Sequence, residues 1–150
     1  MLGERLRDLG LTLPEAQPPL AAYVPARRAG SLLFLSGHVP RSEGRVVSGV
    51  VGDDVDVDTA RALARGVTLD LLASAASALG SVDLVTGVVR ITGYVRSGHH
   101  FGAQSAVIDG ASSLLVELLG DRGRHARSSI GVAELPMGAV LEIEAILETG

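Results

Sequence analysis

The chain has 150 residues, 47% of them hydrophobic and 20% charged, with no cysteine and a formal net charge of −4. That length is one domain with enough chain to bury a core, and the lack of cysteine excludes disulfides, a thiolate nucleophile and Cys-ligated metals. With 13 Lys+Arg against 17 Asp+Glu and 3% aromatic residues, there is neither a basic surplus to track phosphates nor a stacking platform for bases, so no nucleic-acid partner is expected.

Leu2, Leu6 and Leu9 stand at helical spacing and predict a short first helix, stopped by Gly10. Its charges recur every two or three residues, so it does not read as a signal peptide. Residues 11–20 (LTLPEAQPPL) carry prolines and no period, and read as an extended arm. A strand is expected over 21–24 and a turn near 27–30. The apolar run SLLFLSGHV (31–39) predicts a buried strand, PRSEGR (40–45) a turn, and 46–51 a weak strand broken by Gly49.

The strongest helix signal runs over 56–79. Asp56 or Asp58 can cap it, Leu63, Val67, Leu71, Ala75 and Leu79 form one stripe, and Gly80 stops it. Residues 84–95 predict a strand rich in Val, Ile and Thr, and RSGHH (96–100) a loop. A second helix is expected at about 102–119, stopped by Gly120, then two strands at 127–133 and 139–147 joined by the turn ELPMG. This order predicts an α+β domain over 1–150, a mixed sheet with two helices on one face, with 1–17 as a helical prelude and arm. No stretch approaches about eighteen apolar residues, so no membrane span and a cytoplasmic location are expected.

In the last strand Leu141, Ile143, Ala145 and Leu147 should face the helices, leaving Glu142 and Glu144 on the other face. A sheet covered on one side only has a second face to bury, which predicts an oligomer. A hairpin turn at 135–138 would put Glu142 opposite Gly131, on the same face as Ser129 and Arg127. Such a pair is either a cross-strand ion pair or a carboxylate clamp beside a general base. His99 and His100 are adjacent and should point apart, so no metal site is expected. His38 and His125 have no Asp and Ser spaced to argue a triad. The phosphate-binding glycine patterns are absent, and no nucleotide cofactor is implied.

The stretches AAYVPARRAGSLLFLSGHVP and ARSSIGVAELPMGAVLEIEAIL resemble the reactive intermediate deaminase family (Rid, or YjgF-like, also called L-PSP endoribonuclease), over roughly residues 18–148. The resemblance implies a chorismate-mutase-like fold and a homotrimer with sites between subunits. It also implies hydrolysis of enamines or imines, such as 2-aminoacrylate, to 2-keto acids and ammonia, without metal or organic cofactor. Arg127 matches the family's carboxylate-binding arginine and Glu142 the glutamate that orients the attacking water. Tyr23, Ser36 and Gly37 match pocket residues, and Ser129 falls where a backbone carbonyl helps hold the water. Asp109 stands where many members have asparagine, His38 where glutamine is common, and His125 where proline often precedes the A-R-S run. An aspartate there adds negative charge to a pocket for an anion. That leaves a second reading, a non-catalytic trimer that binds a small carboxylate-bearing metabolite. The acidic balance argues against a third, RNA cleavage.

Overall fold

The computed structural model describes residues 1–18 and 21–150; the last two residues of the expected arm, 19 and 20, lie outside them. Helix α1 spans Leu2–Asp8 and packs Leu2 and Leu6 inward. Strand β1 is Ala26–Ala29 and β2 is Leu32–His38, antiparallel and joined at Gly30 and Ser31, with φ of Gly30 at +60°. The expected strand at 21–24 is therefore displaced. Arg27 and Arg28, expected in a turn, lie in β1, which at the sheet edge tolerates charged, solvated side chains. Where a turn was expected over 40–45, a miniature hairpin forms over 41–46, β3 (Arg41–Ser42) with β4 (Arg45–Val46). Glu43 and Gly44 turn it, both at positive φ as a two-residue hairpin loop requires.

Helix α2 is Val57–Leu79. Asp56 caps it through Oδ1, which accepts from the Thr59 backbone N–H at 2.7 Å, and that hydrogen bond holds the Asp56 carboxyl below its usual range. Its 23 residues and mean hydropathy of 1.3 would suit a membrane span by length and composition alone. Here its apolar stripe packs on the sheet and on α3 (Gln104–Leu119), as a core helix does. Gly110 of α3 sits so close to the Arg61 carbonyl that a Cβ would collide with it, so a glycine is needed where the two helices meet.

The five-stranded sheet has the order β1-β2-β7-β5-β6, with β5 Val85–Arg96, β6 Ala126–Val132 and β7 Leu141–Thr149. Strand β5 pairs parallel with β6 and antiparallel with β7. The hairpin expected between the last two strands thus does not form, because β5 lies between them. Its long apolar run is better buried with a partner on each side. The loop from β6 to β7 crosses the end of β5 and is tied down there. Arg96 donates from Nη1 to the Gly138 carbonyl at 3.3 Å and pairs with Glu134 at 2.9 Å.

The helices cover one face, meeting Leu33, Leu35, Ile91, Val95, Leu141, Ile143, Ala145 and Leu147 as the alternation in the last strand requires. The other face carries Phe34, Ile146, Tyr94, Glu142, Glu144 and Ile130. Phe34 and Ile130 are 43% and 45% exposed.

Candidate functional site

The uncovered half of the sheet builds a cleft around a break in its own ladder. Leu35 pairs with Ala145 and His38 with Ile143, so Ser36 and Gly37 together face the single residue Glu144. This bulge bends β2 and re-aims the chain beyond it, a common device beside functional sites. It brings Gly37 against the side chain of Glu142, where a Cβ would overlap the carboxyl oxygen Oε1. Ser36 ties the preceding segment down: its backbone N–H donates to the Pro25 carbonyl at 2.9 Å and its hydroxyl to the Val24 carbonyl at 2.7 Å. Tyr23 is thereby held at the rim.

The resulting pocket, about 130 Å³, is lined by Tyr23, Ser36, Gly37, His38, Arg41, Asp70, Met137 and Glu142, among others. Burial pushes the Glu142 carboxyl above its usual range, and the like charge of Glu144 adds to it. Asp70 is also pushed up by burial, against the opposing charges of His38 and Arg41. His38 lies within 2.7 Å of the Ser36 carbonyl through Nδ1 and within 2.8 Å of the Ser74 hydroxyl through Nε2. A carbonyl only accepts, so His38 Nδ1 carries a proton in this contact.

Arg127 stands elsewhere, on the edge strand β6. It pairs in register with Ile91, while Glu142 pairs with Tyr94 and Tyr94 with Ile130. Arg127, Ser129 and Gly131 therefore share the helix-covered face and Glu142 the opposite one. The expectation that Arg127 and Glu142 share a face is overturned, because it rested on a direct β6–β7 pairing that β5 prevents.

From that face Arg127 reaches α3. Its Nη1 donates to Asp109 Oδ1 at 2.7 Å and to the Ser112 hydroxyl at 3.1 Å. Ser112 is in turn 3.0 Å from His125 Nε2, and His125 Nδ1 is 2.6 Å from the Gly123 carbonyl. Burial, with the nearby Arg127 charge, lowers the pKa of His125 despite the Gly123 contact, which favours the charged ring. The Ser129 hydroxyl is buried without a hydrogen-bond partner among the described residues.

Tyr23, Ser36, Gly37 and Glu142 are thus brought together within one chain. Arg127, Asp109 and Ser129 are not among them. Sequence reasoning passed over Asp70, Ser74 and Ser112. The available signal was spacing: Asp70 and Ser74, and Asp109 and Ser112, each lie one helical turn apart. His99 and His100 do not point apart as expected. Their ring centroids are 3.9 Å apart, because His100 adopts φ +64°.

Residues 3–146 match the model of the family described as "YjgF/chorismate_mutase-like, putative endoribonuclease". The chain belongs to that family. It is 38% identical to Protein TCP17 of Trypanosoma cruzi over 145 residues, covering 95% of this chain and 91% of that one. It is 26% identical to RutC family protein PH0854 of Pyrococcus horikoshii over 133 residues, covering 87% and 90%. The crystal structure of Atu1372 from Agrobacterium tumefaciens superposes with a TM-score of 0.90 at 42% identity, covering 99% of this chain and 92% of that one. The α+β, chorismate-mutase-like fold expected from the sequence is the fold of this YjgF-like chain.

Proposed function

We propose that this protein hydrolyses reactive enamines and imines to 2-keto acids and ammonia in the cytoplasm. The reading rests on Glu142, a half-buried carboxyl raised above its ordinary range, held against the Gly37 bulge in a pocket with Tyr23 and Ser36. An imine carbon is already electrophilic, so aiming and deprotonating one water supplies most of the chemistry. Water adds to the C=N carbon as Glu142 takes its proton. The same carboxyl returns that proton to nitrogen to give the carbinolamine. It then takes the carbinolamine's hydroxyl proton and passes it to nitrogen as the C–N bond breaks, so the 2-keto acid forms and ammonia leaves. Atoms balance without an oxidant or reductant.

Arg127 would hold the substrate carboxylate. Since Arg127 and Glu142 lie on opposite faces of one sheet, the site on this reading is completed between copies of the chain, with the arginine of one facing the pocket of the next. The uncovered face with Phe34 and Ile130 is the surface such an assembly would bury. A homotrimer is the assembly the family resemblance implies, and light scattering on the eluting protein tests it.

One observation favours the second reading, a binder of small carboxylates that does not turn them over: Asp109 already neutralises Arg127. The deciding experiment generates 2-iminopropionate in situ and measures 2-keto acid release with wild type, Arg127→Ala and Glu142→Gln. Acceleration lost in both variants supports the hydrolase. Carboxylate binding without acceleration supports the binder. RNA cleavage by wild type but not by Arg127→Ala would overturn both.

A further inference from the structure

The hydrogen bonds around Arg127 form a directed chain. The Gly123 carbonyl can only accept, so His125 Nδ1 is the protonated nitrogen and Nε2 of the neutral ring is an acceptor. The Ser112 hydroxyl must then donate to Nε2, which turns its oxygen lone pairs toward Arg127 Nη1. Asp109 Oδ1 takes the second proton of the same nitrogen. Both partners thus grip Nη1, while Nη2 and Nε make no hydrogen bond among the described residues. A guanidinium held along one side and open along the other offers a fixed two-pronged donor, and its orientation costs a ligand little to find.

We infer that Ser112 and His125 are positioning residues for Arg127. Through the 2.6, 3.0 and 3.1 Å links from Gly123 to Nη1, they turn its Nη2–Nε edge toward a planar carboxylate. His125 acts only through Ser112, and Ser112 only through Arg127; neither touches the ligand. The inference deepens the proposed function and rests on its assignment of Arg127 to the ligand carboxylate.

Pyruvate, a stable 2-keto acid, is the probe, titrated by NMR into the full-length protein and its variants, alongside imine hydrolysis kinetics. Losing a hydrogen bond to a charged group predicts about tenfold weaker pyruvate binding in Ser112→Ala, with KM raised by a similar factor and kcat nearly unchanged. Ser112→Thr keeps the hydroxyl and should recover binding to within about threefold of wild type. In the double variant Ser112→Ala/His125→Ala the effect should equal that of Ser112→Ala alone, since the histidine has nothing left to orient. Thermal melts identify any variant that has lost its fold, and the threonine rescue then carries the test. Wild-type affinity in Ser112→Ala, or additive losses in the double variant, would overturn the relay while leaving Arg127 in place. Unchanged pyruvate binding in Arg127→Ala would instead overturn the assignment on which the relay stands.

Discussion

The two polar clusters of this molecule are built from the same parts and left in opposite states. In each, a histidine sets Nδ1 on the carbonyl two residues before it, Ser36 for His38 and Gly123 for His125. In each, Nε2 meets a helix serine, Ser74 or Ser112, with an aspartate one turn earlier. Around Arg127 the charges are matched, Asp109 against guanidinium at 2.7 Å. Around Glu142 they are not: Glu142 and Asp70 are half-buried carboxyls whose burial opposes ionisation. The lesson is a division of labour. A matched pair holds a shape at little electrostatic cost, whereas a carboxyl denied full solvation is ready to take a proton from water.

The comparison is broken most severely at Glu142. Glu142→Gln keeps the shape and removes the base, so imine hydrolysis should fall by about 100- to 10,000-fold while the melting temperature does not drop; steady-state keto acid release measures it. A smaller effect is expected at the bulge. In Gly37→Ala the new methyl displaces the Glu142 carboxyl, and a misplacement of about 1 Å costs roughly 100-fold in rate. A fully active Gly37→Ala protein would show that the close approach does not set the geometry.

At the matched pair, Asp109→Asn leaves the Arg127 charge uncompensated. Pyruvate binding should tighten a few-fold by calorimetry, with less than about 1 kcal/mol lost from folding, because Asp109 is half exposed.

The smallest effect is on stability against pH. Glu142 titrates higher folded than unfolded, so its contribution is fully present below its unfolded pKa and is lost as pH rises through the folded one. The melting-temperature gap between Glu142→Gln and wild type should therefore widen, in favour of the variant, between weakly acidic and neutral pH. If Glu142 is the base, the acid limb of the hydrolysis profile should lie above the ordinary carboxylate range.

Much of the fold was legible because its signals are local. Asp56 and Gly80 bracket α2 through a cap and a left-handed stop, and the alternation through Leu141, Ile143, Ala145 and Leu147 names the face that meets the helices. The first strand was expected at 21–24 and formed instead at Ala26–Ala29, because edge position, not composition, lets Arg27 and Arg28 extend. The grouping of Tyr23, Ser36, Gly37 and Glu142 was carried by resemblance to the family. The relation of Arg127 to Glu142 was misread, since nothing within 126–149 reveals that β5 inserts between the two strands.

The amino-acid order alone determined which segments coil, which extend, which side of each buries, and which side chains are able to do chemistry, since all of these follow from neighbours within a turn or two. Only the tertiary structure decided strand order, the Ser36–Gly37 bulge and the partners of His38, Arg127 and His125. Those depend on which distant segments share a ladder or a helix face, and each additional strand in a ladder inverts or preserves a facing relation that no local pattern encodes.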